Sequence, residues 1–274
     1  MPARQRLALA VLLTVVTAAA CGDGEVATTA SAMPTTATSS PETTTTVAPD
    51  PETVIVAGDS IIYDVSPAVA AAVDPRSATV IPVVAPSLAA DSSRLPLIRR
   101  IETTSADVVA VMVGVWERAH VARNGLVVGE PGFAAEYADE ALDPIRLALA
   151  PHGGRLLILG PPHLREAEAE HMVVELEEVW SAYAAEHDEV EFLDADAWIG
   201  DQPVFTELES DGSTTIRLRR TDGIHLCEEG ARRIAAGLLS QIAAPGTPPL
   251  QLVDGWEAGD WTSRFPVDEC PLIP

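Results

Sequence analysis

Beyond Pro51 the chain alternates short, unbroken apolar runs with longer stretches in which apolar residues recur every three or four positions. Thr53-Val54-Ile55-Val56-Ala57 is a continuous, largely β-branched run closed by Gly58, the pattern of a strand buried on both faces. Similar runs stand at Ala78 to Val84, Val108 to Val113, Arg155 to Leu159 and Val190 to Leu193. The intervening stretches have a helical period. In the clearest, Leu164 to His187, the residues Val173, Leu176, Trp180, Tyr183 and Ala184 share one face with acids between them. Phe133 to Ala150 and Glu228 to Ile242 read the same way. This alternation predicts parallel strands joined by right-handed crossovers, in a sheet covered on both sides. Such sheets bind ligands at the carboxyl ends of their strands, so the loop after each run is where chemistry is expected. No internal repeat breaks residues 52–244, which are expected to form one domain.

The two ends differ from this body. Met1 to Arg6 is basic, Leu7 to Thr17 is an apolar run too short for a stable membrane span, and Ala18-Ala19-Ala20-Cys21 follows. That layout resembles a lipoprotein signal (residues 1–20), which implies lipid attachment at Cys21 and a membrane anchor. The alternative is an ordinary export signal with Cys21 incidental. Residues 21–51 are mostly Thr, Ser, Ala and Pro, unable to bury apolar area against the entropy of ordering, and are expected to be a disordered tether. Residues 245–274 form a Pro- and Trp-containing tail. With Cys21 consumed by lipid, Cys227 and Cys270 remain, either as a disulfide that clips the tail to the body or as two separate thiols.

Composition narrows the partners. Apolar residues make up 47%, enough for a large core, and the formal net charge is -24. So acidic a surface repels phosphate backbones, which excludes nucleic acid as a partner. No phosphate-binding loop, dinucleotide fingerprint or Gly-x-Ser-x-Gly elbow is present, and no cofactor is expected. His171 and Glu175 have a spacing compatible with a metal, but no third ligand accompanies them, so they read as a solvated helix face and no metal is expected.

Two loops carry the chemistry. Gly58-Asp59-Ser60-Ile61 follows the first strand directly, which sets a serine hydroxyl at the mouth of the sheet beside a helix start. Read alone, the tetrad is also an ordinary turn and helix cap. Near the other end, Thr221-Asp222-Gly223-Ile224-His225-Leu226 precedes the last helix. A serine becomes a nucleophile when a base accepts its proton, and histidine is the side chain whose ordinary pKa suits that task. A carboxylate must fix the imidazole's tautomer, and Asp222 can do so from the same loop.

These two segments resemble blocks I and V of the SGNH (GDSL) hydrolase family, over about Thr53 to Ile242. The resemblance implies a three-layer α/β/α sandwich around a five-stranded parallel sheet, the flavodoxin-like SGNH fold. It also implies Ser60 as nucleophile, His225 as base and Asp222 as its acid. Gly114-Val115-Trp116-Glu117 and Arg217-Leu218-Arg219 resemble the branch of SGNH domains associated with polysaccharide O-acylation. In block III the family usually has Gly-x-Asn-Asp, and Trp116 stands in the Asn position, as an indole N–H donor or as packing. Block II lacks its usual glycine in Ala85-Pro86-Ser87-Leu88, where the Ser87 N–H can substitute. The oxyanion candidates are therefore Ser60, Ser87, Gly114 and Trp116. Three functions compete: an extracytoplasmic serine esterase for acyl (including O-acetyl) esters, an O-acyltransferase acting on cell-envelope glycan, and a non-catalytic carbohydrate-binding lipoprotein.

Overall fold

The first strand, β1 (Thr53–Gly58), buries both faces: Val54 and Val56 point to one side of the sheet, Ile55 and Ala57 to the other. In the computed structural model, which describes residues 53–73, 79–200, 205–210, 214–243, 248–256 and 269–270, four more strands run parallel to it. They are β2 (Thr79–Val84), β3 (Val108–Met112), β4 (Arg155–Gly160) and β5 (Val190–Asp194), in the order β2-β1-β3-β4-β5. The signal segment, the tether with Cys21 and most of the tail lie outside the described residues. Among the described residues no helix is long and apolar enough to cross a membrane.

Helices cover both faces. On one side α1 (Ser60–Val73) and α8 (Glu228–Ile242) press Ile61, Val65, Val69, Ile234 and Leu238 onto Val56, Ala110 and Leu157. On the other, α2 (Asp91–Thr104), α5 (Asp143–Leu149) and α6 (Ala167–Glu186) bring Leu97, Ile101, Ile145, Leu176 and Trp180 against Ile55, Val109 and Ile158. Full burial of each aliphatic side chain contributes about 1.5–3 kcal/mol. Two-sided coverage is why the strands read as unbroken apolar runs. The expected three-layer sandwich with a five-stranded parallel sheet is the fold observed.

Boundaries shift for identifiable reasons. Helix α6 starts at Ala167, not Leu164, because the Glu166 carboxylate caps it, accepting from the N–H groups of Glu168 (3.0 Å) and Ala169 (2.8 Å). The stretch Phe133 to Ala150 is α4 (Phe133–Tyr137), a π turn (Ala138–Leu142) and α5. Pro144 lacks the N–H that would continue the ladder, and the widened turn ends just before it. Shorter elements complete the chain: α3 (Val115–Arg123), α7 (Asp196–Ile199), and an antiparallel hairpin of β6 (Leu208–Ser210) and β7 (Thr215–Arg217). Cys227, at the start of α8, is disulfide-bonded to Cys270, 43 positions on. In the chain-entropy model a loop of that size restricts the unfolded state by about 4 kcal/mol.

Candidate active site

Gly58 pairs with Val84 on one side and Met112 on the other, so β1, β2 and β3 end level and their loops leave side by side. Only glycine fits at this edge: φ is +148°, and a Cβ would lie 1.9 Å from the Met112 carbonyl oxygen. The chain then turns into α1. Asp59, buried, accepts from the Ile61 N–H at 2.9 Å, and its own N–H donates to the Met112 carbonyl at 3.2 Å. Burial pushes Asp59 up to about 6, against the pull of the Ile61 N–H and of nearby His225.

Ser60 is therefore the exposed first residue of a helix, at the rim of the sheet. Its hydroxyl donates to His225 Nε2 at 2.7 Å, and His225 Nδ1 donates to Asp222 Oδ2 at 2.6 Å. The carboxylate fixes the tautomer by occupying Nδ1, which leaves Nε2 as acceptor. Asp222 is held in turn: its Oδ1 accepts from the N–H groups of Ile224 (2.8 Å) and His225 (3.0 Å). Partial burial works against its ionisation, yet the His225 bond and these two donors hold it below the usual carboxylate range. Thus the three residues expected to act together, 165 positions apart at the extremes, form one hydrogen-bonded line.

Two arginines shape the histidine loop: Arg219, which the sequence marks only through the Arg217-Leu218-Arg219 resemblance, and Arg220, which it does not mark. Arg219, 1% exposed, sends Nη2 to the Ile224 carbonyl at 2.6 Å, Nη1 to the His163 carbonyl at 2.9 Å and Nε to the His225 carbonyl at 3.4 Å. Burial pulls it down to about 10, so it stays cationic at neutral pH. Arg220 donates to both oxygens of Asp64 at 3.2 Å, one turn along α1 from Ser60, and to Glu269 beside Cys270 at 3.3 Å. That pair ties the base's loop to the nucleophile's helix. The run Arg217-Leu218-Arg219-Arg220 was the available signal, since basic residues are scarce in this acidic chain.

The oxyanion candidates are placed unequally. The N–H groups of Ser60 and Ser87 have no hydrogen-bond partner among the described residues. Gly114 immediately precedes α3, and Trp116, on that helix, is 53% exposed. Ser87 itself is buried, in a loop shaped by a wholly buried side chain, Glu117. Glu117 accepts from the N–H groups of Leu88 (2.6 Å) and Ala89 (3.0 Å) and from the Tyr137 hydroxyl (2.6 Å), to which Trp180 Nε1 donates at 3.2 Å. Burial raises the Glu117 carboxyl above its ordinary value, while these donors oppose the rise. His171 is exposed and lies 3.7 Å from Glu175 on the solvent side of α6.

No curated protein matches the chain. Among solved structures, an acetyl-xylooligosaccharide esterase mutant from Geobacillus stearothermophilus is 15% identical, with a TM-score of 0.50 over 74% of this chain and 97% of that one. LAE5, an alpha/beta hydrolase enzyme from the metagenome of Lake Arreo, Spain, is 16% identical, with a TM-score of 0.49 over 70% and 94%. The periplasmic domain of a lipopolysaccharide acetyltransferase from Salmonella ser. Paratyphi A is 13% identical, with a TM-score of 0.46 over 67% and 80%. At such identities the likeness is one of fold, and the first of the three carries it. A family model matches residues 94–241, more than half of the chain, including Asp222 and His225 and beginning after Ser60. On that match, with the SGNH-like sheet and crossovers around it, the chain belongs to the family described as "Protein of unknown function (DUF459)".

Proposed function

We propose that the protein is a serine ester hydrolase working outside the cytoplasm. The Ser60–His225–Asp222 line, with contacts of 2.7 and 2.6 Å, is the observation that carries this reading. In it, Ser60 Oγ attacks the ester carbonyl as His225 Nε2 takes its proton, and the doubly protonated imidazole is stabilised by Asp222. The alcohol leaves with the proton returned by His225. Water, deprotonated by the same nitrogen, then cleaves the acyl-Ser60 ester and frees the acid. The N–H groups of Ser60 and Ser87 serve as oxyanion donors, a role in which losing one donor typically costs about 2.7–4 kcal/mol.

Export is supported by the signal-like start of the chain and by the Cys227–Cys270 bond, since disulfides persist in oxidising compartments. On this reading residues 1–20 direct export, Cys21 carries the lipid, residues 21–51 tether the domain of residues 52–244, and the tail is fastened to it. The test is turnover of methyl acetate by purified wild type, Ser60→Ala and His225→Ala. Each substitution is expected to lower kcat by at least about 10³-fold with the far-ultraviolet dichroism unchanged. Turnover undiminished in either variant refutes the assignment.

A further inference from the structure

A cleft of about 630 Å³ opens along the outer side of α3, walled by Val115, Trp116, Ala119, Ala122, Val127 and Met172. A second hollow of about 490 Å³ adjoins it, walled by Leu164, Arg165, Glu166, Ala169, Ile224 and the Asp222-Gly223 turn. Val115 and Arg118 belong to both. The two thus meet along Val115 and Arg118, and together form a trough-like surface between Ile224, the residue preceding His225, and Trp116. Its near end lies where the β3 loop leaves the sheet beside that of Ser60.

The lining states what fits. Most of the surface it presents is apolar, with Arg118, Arg165, Glu166, Glu175 and Asp222 among the lining residues, and Trp116 and Val127 remain 53% and 51% exposed, an apolar exposure that marks binding surfaces. A sugar ring needs several convergent hydrogen-bond partners, and the trough offers few. Its two cations are both paired, Arg118 with Glu168 at 3.2 Å and Arg165 with Glu207, and the chain's net charge of -24 discourages an anionic head group. Both hollows lie in the size range of small-molecule sites.

We propose that this trough holds an unbranched, uncharged aliphatic chain of the ester substrate, so that the enzyme prefers esters bearing a chain of about eight carbons. The proposal rests on the hydrolase reading of Ser60 and narrows its substrate class. The chain belongs either to the acid or to the alcohol, and methyl octanoate and octyl acetate separate the two.

The experiment compares hydrolysis of methyl octanoate, octyl acetate and methyl acetate by wild type, Ala122→Trp and Val127→Asp. Ala122 and Val127 are exposed, so neither change disturbs the core. Wild type is expected to favour one octyl-bearing ester over methyl acetate at least tenfold in kcat/KM. Both variants should lose most of that preference while methyl acetate turnover stays unchanged. Equal rates on all three esters, or a preference untouched in the variants, overturns the proposal. So does a changed oligomeric state of the variants with selectivity intact, which assigns the trough to a second copy of the chain. Calorimetric binding of octyl acetate to Ser60→Ala, abolished by adding Ala122→Trp, reads the trough without catalysis. If wild type hydrolyses no ester but this binding is seen, only the hydrolase reading fails; absence of the binding overturns the trough.

Discussion

Arg219 Nη2 donates to the Ile224 carbonyl at 2.6 Å from a side chain that solvent does not reach, one residue before the catalytic base candidate. The guanidinium fills the interior of the loop it holds, using its fixed fork to serve carbonyls of Ile224, His225 and His163. Lysine offers its three protons from a single point and cannot reach all three. Arg219→Lys is accordingly expected to lower kcat about 10- to 100-fold with KM little changed, because the loop positions the base and not the bound ester. Steady-state kinetics on methyl acetate check this. A raised KM at constant kcat would place Arg219 in substrate binding instead.

Glu117 makes a comparable demand on the loop after β2. Replacing it with Gln leaves one oxygen to accept and sets an amide NH2 among the donors of Leu88, Ala89 and Tyr137. Each buried donor left unpaired costs about 1–3 kcal/mol. Glu117→Gln should lower the urea-extrapolated unfolding free energy by about 2–4 kcal/mol, and should lower kcat as the Ser87 loop loosens. Unfolding curves superimposed on those of wild type contradict this account of the loop.

Much of this was legible in the sequence because the physics is local or periodic. Strands buried on both faces leave apolar runs, and the amphipathic period of α6 exposes Val173, Leu176 and Trp180 as its inner face. Ser60 and His225 were found because each sits in a short loop with a recognisable neighbour, Gly58 or Asp222. Arg219 and Glu117 stood out only within stretches of family resemblance and Arg220 not at all, because their roles depend on which distant groups fold around them. The His163 carbonyl is 56 positions from Arg219, and Asp64 is 156 from Arg220. The β6–β7 hairpin escaped for a different reason: three exposed or half-exposed residues per strand leave no apolar signature.

Burial, reinforced by Asp196, Asp194 and Glu170, pushes the Glu177 carboxyl up to about 8 from 4.5. The folded protein thus binds a proton more tightly than the unfolded chain. The associated stability is fully present below about pH 4.5 and is lost as pH rises to about 8. Glu177→Gln removes that loss. It should raise Tm at pH 9 by about 2–4 °C for each 1 kcal/mol relieved, with the gain vanishing by pH 4.5. A gain that is constant with pH contradicts the assignment.

Asp222 lies below the usual carboxylate range and so stays ionised across the neutral region. Its substitution should therefore be felt at every working pH. Asp222→Asn is expected to lower kcat about 10²- to 10⁴-fold, since an amide can turn the imidazole to the wrong tautomer. The loss should persist at pH 9. Full recovery of the rate there would contradict an orienting role for Asp222.

The central claim is that His225 makes the Ser60 hydroxyl a nucleophile, and active-site labelling measures that reactivity without any assumption about substrate. Wild type and His225→Ala are treated with a fluorophosphonate, and the modified peptide is identified by mass spectrometry. The account predicts one stoichiometric adduct, on Ser60, forming at least about 10²-fold more slowly in the variant. An adduct on another serine, or equal labelling rates in the two proteins, would contradict it.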